Sequence, residues 1–116
     1  MPLIDKMRLA FAKGDWKETS ALYGKRASEV QSTRSLRLEA ACLAVRALIA
    51  TKQRSEARLI LKRVSAGSYK KPVHYEFLAK AYLDMKQYKE AAAACERADH
   101  LHRLESEGAA TPSIGV

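Results

Sequence analysis

The side chains of this sequence that could do acid–base or ligand chemistry are few and poorly spaced for it. Its three histidines are His74, His100 and His102. On a helix, positions 100 and 102 point in different directions, so they cannot close on one metal ion. His74 stands alone, and each histidine reads as solvated or as a cap. Cys42 and Cys95 lack the C-x-x-C spacing of a metal or redox site and read as free, buried, small apolar residues. A serine or cysteine nucleophile needs an oriented base beside it, and no stretch supplies one. Glu105 and Glu107 sit at a predicted helix end. There is no glycine-rich phosphate loop and no His-Glu-x-x-His. These residues predict a protein that is not an enzyme, with no cofactor and no metal.

The elements that position these residues are helical. Residues 72–101 read as two amphipathic helices joined by a tight turn. Tyr75, Leu78, Ala79 and Tyr82 recur at helical spacing in the first, and Ala91, Ala94, Cys95 and Ala98 in the second. Two short helices cannot bury both apolar faces alone, so the unit needs neighbours.

This unit resembles a tetratricopeptide repeat, a 34-residue helix–turn–helix with the pattern W-x2-L-G-x2-Y, then A-x3-F, then P. The pattern falls on Tyr75, Leu78, Ala79 and Tyr82, then Ala91 and Cys95, with Ala98 at a later small position. Tyr75 replaces Trp, Ala79 replaces Gly, and Cys95 replaces the second aromatic. The run Lys86-Gln87-Tyr88-Lys89-Glu90-Ala91 is similar to the family's turn and second-helix start. Moving back 34 residues sets Ala91 on Ala57, Glu90 on Glu56, Ala81 on Ala47 and Leu78 on Ala44. A further 38 residues back, Gly14-Asp15-Trp16-Lys17-Glu18 matches the turn again, with Tyr23 at the aromatic position. The four extra residues fall in the polar linker between Ser28 and Ser35. In the first copy Lys6 stands where the pattern has Leu. The resemblance implies an all-α, three-repeat solenoid of six helices, with copies at about 1–31, 35–68 and 72–105. The domain then spans 1–107, and 108–116 is a flexible tail.

Punctuation sets the helix ends. Helix one covers 3–13, and Gly14 ends it. Asp15 caps helix two with Glu18 three residues on, and that helix runs to about residue 30. Gly24 inside it costs roughly 1 kcal/mol relative to alanine, which predicts a close approach by the next helix or a local kink. Helix three covers about 33–51 and is apolar nearly all round, so it should be the most buried. Helix four spans 53–65. Pro72 suits the first turn of helix five, which reaches residue 85. Helix six runs from 87 to 101 or as far as 107, where Gly108 breaks it.

With 116 residues and a net charge of +8, the chain is one small basic domain. No apolar run is long enough to span a bilayer, and the first residues lack the features of a signal peptide. A cytoplasmic location is the expectation. Between positions 46 and 71 there are eight basic residues against one acid, Glu56. Arg54, Arg58 and Lys62 share one face of helix four, which the resemblance places on the convex side. That ridge reads as a solvated face, as a dock for an acidic partner, RNA included, or as a contact for membrane phosphate.

The family's inner surface comes from the first helix of each repeat. By register it carries Ile4, Asp5, Arg8 and Phe11 here, then Glu39, Cys42, Leu43, Arg46 and Ile49, then Val73, Glu76, Phe77, Lys80 and Leu83. Arg8, Arg46 and Lys80 occupy one position in all three copies, a basic row. Ile4, Leu43 and Phe77 flank it on one side and Phe11, Ile49 and Leu83 on the other. Such a groove suits an amphipathic helix or extended segment of a partner protein with some acid. The repeats that clamp a C-terminal carboxylate use polar residues at positions matching Ile4, Arg8, Leu43, Val73 and Phe77. Only Arg8 is polar here, so a heat-shock chaperone tail is disfavoured. The size and groove character are similar to the small secretion chaperones of bacterial type III systems. The resemblance implies a protein-interaction module, a chaperone or adaptor; the alternative is nucleic-acid association through the basic ridge. An uncapped last helix also allows a homodimer.

Overall fold

Three tight turns of one geometry divide this chain into helical pairs. The computed structural model describes residues 2–26, 33–67 and 69–114. Among them are six helices and no strand: α1 Leu3–Ala12, α2 Trp16–Arg26, α3 Arg34–Ala50, α4 Arg54–Ser65, α5 Pro72–Asp84 and α6 Tyr88–Ile114. The fold is all-α. Helices α1 and α2, α3 and α4, and α5 and α6 pack as pairs, and α1, α3 and α5 pack in succession.

Gly14, Lys52 and Lys86 all take the left-handed conformation, with φ of 77°, 64° and 61°. At each, the residue's N–H donates to the carbonyl three back and the next N–H donates to the carbonyl five back. The bonds are Gly14 to Phe11 and Asp15 to Ala10, Lys52 to Ile49 and Gln53 to Leu48, Lys86 to Leu83 and Gln87 to Tyr82. This is the Schellman closure, which satisfies carbonyls that a helix end otherwise leaves open. Glycine takes such a φ freely, whereas the two lysines carry a steric cost. The following residue starts the next helix. Asp15 Oδ1 accepts from the Glu18 N–H at 3.2 Å, the cap expected from the sequence. The Gln53 and Gln87 carbonyls accept from Ala57 and Ala91. Thr19, Ala57 and Ala91, one in each second helix, are 0%, 0% and 2% exposed.

Helix α3 is the hub. Its Leu38, Cys42, Val45 and Leu48 enter a core with Ala57 and Leu61 of α4, Leu78, Ala79 and Ala81 of α5, and Ala94 of α6. Its Ala40 and Ala44 enter a second core with Leu3, Ile4 and Met7 of α1. A helix serving two cores needs apolar residues around most of its circumference, which is what its sequence provides. Thr33 caps it, accepting from the Leu36 N–H at 3.1 Å.

Three local expectations change. Gly24 meets no close neighbour: a Cβ built there has nothing within 4 Å. Among the described residues nothing crosses close to that glycine. Cys95 is exposed while Cys42 is buried. The buried stripe of α6 is Ala91, Ala94 and Ala98, and no further described helix covers the side holding Cys95. Helix α6 also continues through Gly108 to Ile114, where the sequence predicts a break. The predicted end of helix two and most of the linker fall on residues 27–32, outside the described residues.

Candidate interaction groove

Helices α1, α3 and α5 bring most of the predicted groove residues around one cavity of about 210 Å³. It is lined by Arg8 and Phe11 of α1, Leu43 and Arg46 of α3, and Phe77 and Lys80 of α5, with Glu39 and Cys42 between them. Six residues assigned to the inner surface do not line it: Ile4, Asp5, Ile49, Val73, Glu76 and Leu83. Ile4 is 7% exposed and belongs to the second core, because it points along the inward face of α1 with Leu3 and Met7. Ile49 packs against the larger core. Leu83 is exposed on α5 without lining the cavity.

The basic row is not a row of bare cations. Arg8 makes a two-pronged contact with Glu39, Nε to Oε2 and Nη2 to Oε1, both at 2.6 Å, and reaches Asp5 at 3.4 Å. The hydrogen bond to Glu39 holds the Arg8 pKa above its ordinary value. Arg46 donates from Nε to Asp84 at 2.7 Å. Its guanidinium also lies 4.7 Å from the centre of the Phe11 ring, a contact that fixes the plane of both groups. Phe11 in turn meets Trp16 edge to face at 5.0 Å. Each arginine thus joins two successive helices, α1 to α3 and α3 to α5. Among the described residues Lys80 has no ion-pair partner and is exposed.

These pairings lay outside the reach of sequence reasoning. Register placed Glu39 in the groove without a partner and did not include Asp84. The partners are 31 and 38 residues apart, and no local spacing signals them. Cys42, on the cavity wall, is pushed up to about 12 chiefly by burial and is a thiol at neutral pH.

His74 departs most from expectation. It is 4% exposed, not solvated. Its Nε2 lies 2.6 Å from Ser35 Oγ, tying α5 to α3, and its ring meets Tyr69 edge to face at 5.2 Å. Nδ1 is buried with no hydrogen-bond partner among the described residues. The tautomer protonated at Nε2 donates to Ser35 and leaves only a lone pair unmatched at Nδ1. Burial lowers the His74 pKa, and Lys71 and Arg34 lower it further. Among the described residues no third group orients the imidazole, and the contact joins α5 to α3. His102 is also partnered, 3.1 Å from Glu76, which fastens α6 to α5 at the surface.

Arg54, Arg58 and Lys62 are all exposed along α4. Arg58 and Lys62 border a shallow depression with Tyr82, Gln87 and Glu90. Among the described residues, no helix is long and apolar enough to cross a membrane. Compared with protein-family models, with curated proteins and with solved structures, the chain finds no match.

Proposed function

We propose that this chain is a protein-interaction module of the tetratricopeptide-repeat kind, acting as an adaptor or chaperone whose groove receives an amphipathic helix or extended segment. The observation that carries the reading is the cavity between α1, α3 and α5, floored by Phe11, Leu43 and Phe77. Support for the repeat assignment comes from the three identical turn closures at Gly14, Lys52 and Lys86, spaced 38 and 34 residues apart like the sequence copies.

The ion pairs refine the partner. Arg8 and Arg46 are already engaged, so an acidic ligand has to compete with Glu39 and Asp84 for them. A segment with an apolar face fits better, with at most one acid placed near Lys80. Val73 and Leu83, exposed on α5, extend the apolar surface beyond the cavity.

The test is a display selection with amphipathic helical peptides, followed by titration of the selected peptide. The double variant Leu43→Ser/Phe77→Ser should weaken it at least about tenfold, or ~1.4 kcal/mol. The triple variant Arg54→Gln/Arg58→Gln/Lys62→Gln should leave it unchanged. Loss of binding in the ridge triple alone places the ligand on α4. The nucleic-acid reading then gains, if the ligand displaced is RNA with a steep dependence on salt.

A further inference from the structure

Three arginines converge on a second cavity that shares no residue with the groove. It measures about 350 Å³, and Arg34, Arg37 and Arg63 line it with Tyr23 and Tyr69. Four segments build it. The first turn of α3 contributes Arg34 and Arg37, three apart and so on one face. The last turn of α4 contributes Arg63, α2 contributes Tyr23, and the connection between α4 and α5 contributes Tyr69.

The wall is held rigidly. Tyr69 is 8% exposed, and its hydroxyl donates to the Val64 carbonyl. The Arg34 guanidinium lies 4.8 Å from the centre of the Tyr69 ring, a cation–π contact on the cavity wall. Tyr75 donates to the Tyr69 carbonyl at 3.1 Å and braces the connection. Among the described residues, none that lines it is acidic. Three cations set around one small space repel each other, and the positive end of the α3 dipole adds to the field. An anion entering there relieves that repulsion and meets guanidinium forks shaped for bidentate contact with its oxygens.

We propose that this cavity binds a small polyphosphate anion through Arg34, Arg37 and Arg63. A monocarboxylate offsets one charge and leaves two, whereas linked phosphates place several charges in a space of this size. The site is independent of the groove, and its test is independent too.

Titration calorimetry of the full chain with inorganic tripolyphosphate, at about physiological ionic strength, should show one anion bound per chain. Arg37→Gln and Arg63→Gln are the informative variants, since both residues are exposed and their loss spares the core. Each should weaken binding about tenfold or more, with the helical circular dichroism spectrum retained. Arg34→Lys, which keeps the charge but loses the planar fork, should weaken it as well. The ridge triple on α4 should have no effect. Absence of saturable binding overturns the proposal, as does equal weakening by the ridge triple. Preference for single-stranded RNA, with affinity rising with strand length and lost in the ridge triple, overturns it in favour of diffuse backbone binding.

Discussion

At the scale of single residues, buried and paired side chains behave differently from the exposed charges around them. His74 is held neutral between α3 and α5, with Lys71 and Arg34 nearby. Its folded pKa lies below the ordinary histidine value of about 6.5. The stability it contributes is therefore full above about 6.5 and is lost as pH falls from there toward the folded value. Urea midpoints followed from neutral to mildly acid pH should fall more steeply for the wild type than for His74→Gln; parallel curves would remove His74 from the account.

The two thiols should separate cleanly in a thiol-titration experiment. Exposed Cys95 should react with a disulfide reagent in the native protein. Cys42, buried and pushed up to about 12, should react only on unfolding. Two fast thiols would mean that α3 is less well packed than its burial indicates.

The groove cations also differ among themselves. Arg8→Gln removes the partner of Glu39, whose side chain is 13% exposed. The loss should be about 1 kcal/mol, at the upper end for a partly exposed pair. Lys80→Gln, with no ion pair to break among the described residues, should change the urea midpoint little. Equal effects from both would show that the Arg8–Glu39 contact contributes nothing to stability.

At the scale of elements, the turns concentrate the strain. Lys52 and Lys86 hold a conformation that costs an L side chain roughly 1–2 kcal/mol. Gly14 does the same job without that cost. Lys52→Gly and Lys86→Gly should each stabilise the fold by about 0.5–1 kcal/mol, since relief of strain exceeds the added freedom of the unfolded chain. A lower melting temperature for both would show that the lysine stems make contacts that outweigh the strain.

Helix positions were readable in the sequence because local signals set them. Pro72 starts α5, Asp15 and Thr33 cap α2 and α3, and Gly14 closes α1. The all-round apolar character of α3 foretold a deeply buried helix; that it serves two cores emerges only from the packing. Gly108 and Gly24 misled for a common reason. A glycine has a cost but no single cause, and neither a break nor a close crossing follows from its presence alone. Cys95 misled because small apolar residues at helical spacing predict burial only where a neighbouring helix covers them.

At the scale of the whole molecule, the repeat register brought Arg8, Phe11, Leu43, Arg46, Phe77 and Lys80 to one cavity. The electrostatics of that cavity could not be read the same way. Its ion pairs join helices through Glu39 and Asp84, and only the packing of α1, α3 and α5 decides which carboxylate meets which cation. The arginine cavity was hidden likewise, because four separate segments build it.

The central claim is that the cavity between α1, α3 and α5 receives a partner segment. Amide and methyl chemical shifts, followed while the peptide from the display selection is titrated in, test it most directly. Shifts should centre on Phe11, Leu43, Arg46, Phe77 and Lys80, with Arg54, Arg58 and Lys62 unmoved. Shifts confined to α4, with the five groove residues unmoved, would contradict it.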